Sequence, residues 1–292
     1  LAKHPDREAE LFRVLLHGRP TVENTESETQ ELTFAKMLTY DASRGIALNP
    51  ETFAKNLGLL TPDGKYNLLA QLVSDDNRIP TRVSIFSGTT KADPLYSVRE
   101  FGNTCLLIAL DRVLDYIDVL NIVQADERER VVERTDVPFM KPEPVREAIV
   151  NAFVHNLWIS GNAPMFTVYS DRLEIVSHGE MPPGQTVEGF FSGVSVPVNQ
   201  KLSDMFLQLH ISERSGRGVP KIVKAYGRGS YEFRDGSIAL TIPFNRIDAV
   251  HPRLTSPTPK VVDGLNRTQQ EETPWLYCPC MTRWFCQTPQ YI

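Results

Sequence analysis

Residues 143–155 read EPVREAIVNAFVH, and this stretch decides the fold. A helix turns roughly 100° per residue, so Glu147, Asn151 and His155, spaced by four, share an arc of roughly 80°. Val145, Ala148, Ile149, Ala152 and Phe153 fill a broad neighbouring arc, and Val150 and Val154 flank the polar line on its other side. Little surface is left for solvent. Buried carboxylate, amide and imidazole groups are costly unless they are paired or liganded. The spacing therefore predicts a mostly buried helix whose single polar stripe faces a pocket. Read alone, the same stripe also fits polar groups that satisfy one another inside a core.

The chain around this helix has 292 residues and a formal net charge of -5, enough length for a sizeable core and two domains. The net charge gives no overall attraction to nucleic acid, although a local basic face stays open. No apolar run approaches the roughly 20 residues of a bilayer span, and LAKHPDREAE lacks a signal-peptide core, so a cytoplasmic protein is expected. The chain starts without Met, and residues 1–30 hold no complete domain, which reads as a remnant or linker with something upstream missing. Four cysteines are too few for a disulfide scaffold. The spacing of Cys278, Cys280 and Cys286 does not match a zinc site.

Upstream, Asp6–Leu16 suits a short helix, and LTFAKMLTYDASRG suits another. A third follows from about Pro50 to Leu57, with Asn49 as its cap and Gly58 as its stop. TRVSIFSG reads as a strand, and a long amphipathic helix is expected from about Gly102. Residues 31–137 thus form an α+β connecting unit, in which Asp75, Asp76, Lys91 and Arg99 read as solvated surface. ADERERVVERTDVP is an exposed strand or connection. Downstream, MFTVYS and RLEIVS alternate about Ser170 and Asp171, as in a β-hairpin, which ends in the Gly- and Pro-rich SHGEMPPG. QTVEGFFSGVSVPVNQ reads as an irregular connection and NQKLSDMFLQLHI as a helix. In SERSGRGVPKIVKAYG, Gly216 and Gly218 precede a helix from about Val219 to Tyr226. Free N–H groups there fit a phosphate, helped by Arg214 and Arg217, and a plain helix-to-helix turn fits as well. IALTIPF supplies a last strand before a polar, then aromatic, tail at 248–292.

Taken in order, EAIVNAFVH, RLEIVSHGEMPPG, SVPVNQKLSDMF and SERSGRGVPKIVKAYG resemble the divergent ATP-binding module of the GHKL ATPase superfamily. Proteins carrying that module are described as RecG-like, helicase-related or transcriptional regulators. The resemblance covers residues 138–247. It implies a GHKL-like α/β two-layer sandwich behind the N-terminal α+β unit, an α+β chain overall. It also implies ATP and Mg²⁺ as cofactors. Glu147 would be the general base for the attacking water and Asn151 the Mg²⁺ ligand, with His155 at the edge of the phosphate site. Gly179 and Gly184 would belong to the loop beside the nucleotide, and Arg214, Gly216 and Gly218 to the lid over the phosphates.

The resemblance further implies a link to transcription or DNA transactions. DNA contact would come through an AlbA-like, Schlafen-type domain that normally precedes the module and is not seen in this sequence. Pairing into a homodimer is also implied. Three positions depart from the family pattern, as does the lid, which is shorter in glycine than the fuller GxGxG pattern. Ser177 stands where an aspartate usually reads the adenine amino group, and Asn156 and Leu157 stand where relatives show Arg-Asp. These departures support an alternative, a non-catalytic interaction module that keeps the GHKL fold.

Overall fold

The structure is a computed structural model and describes residues 20–126, 135–182, 184–194, 196–213 and 216–247. The Asp6–Leu16 helix, most of the ADERERVVERT stretch, Arg214 and the 248–292 tail lie outside the described residues.

The N-terminal segment contributes three helices, α1 (Ala35–Ser43), α2 (Phe53–Asn56) and α3 (Leu68–Val73). Asn67 starts α3 by accepting the Ala70 N–H at 3.0 Å, and its own amide donates to the carbonyls of Glu23 and Gly58. One buried amide thus caps a helix and ties down two loops. Asp75, expected to be solvated, caps α1 from outside it, taking the Ala35 and Lys36 N–H groups at 3.0 and 2.6 Å. Burial pushes its carboxyl pKa upward, yet hydrogen bonds from Lys36, Thr33 and Ala35 outweigh burial and hold it below the usual range.

Strands β1 (Thr81–Phe86) and β2 (Leu95–Phe101) form an antiparallel pair and lead into α4 (Leu106–Leu120). β2 carries no sequence signal because most of its residues on both faces are exposed, so no alternation marks it. A two-stranded ribbon, β3 (Val123–Asp126) with β4 (Thr135–Pro138), precedes the central helix α5 (Pro142–His155). Then come β5 (Met165–Val168), β6 (Arg172–His178), α6 (Val187–Phe191), α7 (Gln200–Gln208), α8 (Gly218–Tyr226), β7 (Tyr231–Arg234) and β8 (Ser237–Pro243). α6 is a helical turn inside the stretch that reads as irregular, closed by the Thr186 hydroxyl accepting the Gly189 N–H at 3.0 Å.

Six strands make one sheet in the order β2-β1-β5-β6-β8-β7, antiparallel except for the parallel β1–β5 pair. The fold is α+β, with helices packed on a mainly antiparallel sheet. One core joins Leu106, Leu107 and Leu110 of α4, Phe153 of α5, Trp158, Phe166 of β5 and Phe206 of α7, all essentially inaccessible to solvent. Phe153 stacks on Phe166 with ring centroids 5.9 Å apart, and the Trp158 indole N–H donates to the Phe153 carbonyl at 2.9 Å. These contacts hold α5 flat against the sheet and fix which side of the helix faces away from it. Among the described residues no helix is long and apolar enough to cross a membrane.

Candidate nucleotide site

α5 starts at Pro142, whose fixed φ suits a first helical position, and the Lys141 N–H just before it donates to the Tyr226 hydroxyl at 2.8 Å. The exit is held more firmly. Asn156 is fully buried; its Oδ1 accepts the His178 N–H at 2.9 Å and its Nδ2 donates to the Asn162 carbonyl at 2.7 Å. Asn199 closes the knot by donating to the carbonyls of Val154 and Asn156, both at 2.8 Å. The departure from Arg-Asp at this point therefore puts a structural clamp between the end of α5 and the end of β6.

Between these anchors the helix buries Val145, Ala148, Ile149, Val150, Ala152, Phe153 and Val154, while Glu147, Asn151 and His155 are partly buried. All three line one cavity of about 430 Å³. Its other walls come from the end of β6 (Ser177, His178, Gly179), the following loop (Glu180, Gln185), the segment with Phe190 and Gly193, and the loop holding Gly216 and Gly218. The volume lies within the roughly 300–1,000 Å³ of small-molecule sites.

One end of the cavity gathers charge. Burial raises the Glu147 carboxyl pKa, opposed by the cations Lys221 and Arg146, with Glu213 and Glu143 adding to the rise. Neither the Glu147 carboxylate nor the Asn151 amide hydrogen-bonds a described residue. A Cβ placed on Gly218 would lie 2.1 Å from Glu147 Oε1, so the loop backbone and this carboxylate lie against each other and a larger residue would make one of them move. Gly216 and Gly193 meet in the same way: a Cβ on either would fall 2.5 or 2.0 Å from the other's carbonyl oxygen. α8 begins at Gly218 with no side-chain cap, and its first hydrogen-bonded N–H is that of Lys221. The Gly218 and Val219 N–H groups are thus left for another acceptor at the positive end of the helix.

The other end is more apolar. Ser177 pairs with Ile238 across β6–β8, and its hydroxyl reaches the Ile238 carbonyl only at 3.5 Å. Gly179 has φ +109° and packs on Leu157, while its N–H bonds the Gly236 carbonyl. Gly184, with φ +85°, is exposed and is not part of the lining. Burial holds the His155 imidazole pKa down at about 4, so the ring is neutral at physiological pH. Two further lining residues escape sequence reading. Tyr231, packed edge-on to Phe190 at 5.1 Å, has its phenol pKa raised by burial and then by the Glu147 charge. Gln185 donates from Nε2 to the Val194 carbonyl at 2.7 Å, and its Oε1 is buried with no partner. Both lie where no motif or periodicity marks them, since β7 is short and the 179–199 stretch is irregular.

Comparison with known proteins agrees with an α+β, GHKL-like fold. Residues 161–240 match the family model described as "Putative ATP-dependent DNA helicase recG C-terminal". This match is consistent with a divergent GHKL-type, RecG-related module, and tertiary packing brings α5, which precedes the matched residues, against that segment. The crystal structure of the DIP2311 protein from Corynebacterium diphtheriae shares the fold, with a TM-score of 0.62 at 18% identity over 82% of this chain. The chain spans about half of that protein, 50% of its length. No curated protein matches the sequence.

Proposed function

We propose that the cavity binds ATP with Mg²⁺ and hydrolyses it slowly, within a regulatory protein of transcription or DNA transactions. The observation that carries this reading is the pair of unpartnered polar groups, Glu147 and Asn151, one turn apart on α5 and facing a glycine loop that opens a helix. A carboxylate and an amide left open in a partly buried wall fit a ligand that supplies their partners. The residues suit the implied cofactors. Asn151 offers one neutral oxygen, enough for a hard cation that keeps several of its waters. The Gly218 and Val219 N–H groups suit phosphate oxygens, with no Cβ at 216 or 218 to fill the space. Mg²⁺ held by Asn151 would neutralise charge on the phosphates.

Glu147 is the group that orients the attacking water and takes its proton. Its raised pKa makes it a stronger base than a solvated carboxylate. Gly218 lying on that carboxylate leaves little room beside it, which supports slow turnover. DNA contact and a homodimeric state rest on the family resemblance alone. Titration calorimetry with ATP and Mg²⁺ decides the first point: a saturable signal is expected, and its absence would exclude the nucleotide site. Phosphate release from the unaltered chain, lost in Glu147→Ala while ATP still binds, separates hydrolysis from binding alone.

A further inference from the structure

Gln185 is held by one end of its amide. Nε2 donates to the Val194 carbonyl at 2.7 Å, which fixes the orientation of the group, because a flipped amide would set two acceptors against each other. Oε1 is then an acceptor by necessity, and it is buried without a donor beside the cavity. A buried, unsatisfied acceptor is costly, so a ligand that brings an N–H or O–H to it gains from doing so. Phosphate oxygens at neutral pH offer acceptors almost alone. The donor must come from the rest of the ligand.

We infer that Gln185 Oε1 reads the nucleoside half of the bound nucleotide, accepting a hydrogen bond from its exocyclic amino group or from a ribose hydroxyl. This rests on the nucleotide reading above. The same side chain also joins the two halves of the site. Val194, which it holds, follows Gly193, whose backbone crosses that of Gly216 in the phosphate-side loop. A nucleoside that engages Oε1 steadies the amide that holds this crossing.

The test compares ATP, its analogue lacking the 6-amino group, 2′-deoxy-ATP and 3′-deoxy-ATP on the unaltered chain and on Gln185→Met, which keeps length and loses both the acceptor and the Nε2 donor to Val194. On the unaltered chain one analogue is expected to bind about tenfold more weakly than ATP, and that analogue identifies the donor. Gln185→Met is expected to lose about tenfold more with ATP than with that analogue, any loss from the broken Val194 contact being common to all four nucleotides. Equal binding of all four nucleotides by the unaltered chain overturns the inference while leaving the nucleotide site intact. An equal loss with ATP and every analogue in Gln185→Met also overturns it, since the residue is then merely structural. Failure of ATP itself to bind the unaltered chain removes both readings.

Discussion

Glu147 and Asn151 sit one turn apart, yet the chemistry assigned to them predicts different losses. Glu147→Gln keeps size and polarity but removes the base, so ATP affinity is expected to stay within about threefold while phosphate release falls at least about a hundredfold. Because burial raises the Glu147 pKa, turnover in the unaltered chain is expected to fall on acidification at a pH above the ordinary carboxylate range. A pH–rate profile checks this. Two other groups tie stability to pH with opposite signs. His155 titrates at about 4 in the fold and about 6.5 when unfolded, so the unfolded chain binds the extra proton between these values. Its contribution is complete above the upper value and lost as pH falls towards the lower, by at most about 1.4 kcal/mol per pH unit. Asp41, buried with Oδ1 unpartnered, is raised to about 6 by burial, which outweighs the Arg44 charge. Its ionisation above that pH costs stability. Between about 4 and 6 the two slopes oppose each other, so the unaltered chain is expected to show a shallow profile. Asp41→Asn is expected to stabilise the fold at pH 8 and to change little at pH 4, as read by urea titration at both.

At the scale of elements, the clamp at the end of α5 is the most exposed to a single change. Asn156→Ala removes two hydrogen bonds and leaves the His178 N–H without its acceptor, which is expected to cost about 2–3 kcal/mol in denaturant unfolding. Gly218→Ala acts differently. The added methyl group falls on Glu147 Oε1, so the carboxylate or the loop must give way: ATP binding is expected to weaken with the melting temperature nearly unchanged. Calorimetry beside a thermal melt distinguishes the two. The polar stripe of α5 was legible because helical spacing alone puts Glu147, Asn151 and His155 on one face. The β5–β6 hairpin was legible from two largely alternating runs joined by Ser170 and Asp171. β2 and β7 were not, because edge strands with exposed faces carry no alternation to read. Nor was the role of Asp75, whose partners Ala35 and Lys36 lie 40 and 39 residues away.

For the whole molecule, the sheet takes β1 and β2 from the 31–137 segment and four strands from 138–247. β1 covers the edge of β5, and α4 supplies Leu106, Leu107 and Leu110 to the core that also holds Phe153. A fragment of residues 138–247 is therefore expected to expose that strand edge and core surface and to unfold without a cooperative transition, as followed by circular dichroism.

The sequence by itself determined the polar line on α5, the order of the motifs and the glycines of the lid, because these rest on local periodicity and backbone freedom. Only the tertiary structure decided what faces the line. The contact of Gly218 with Glu147, the crossing of Gly193 and Gly216 and the clamp between Asn156 and His178 join residues far apart in the chain, and the open acceptor on Gln185 is left by the same packing. Local spacing carries no record of such pairings, which arise when the core closes and each polar group must find a partner or remain open to a ligand.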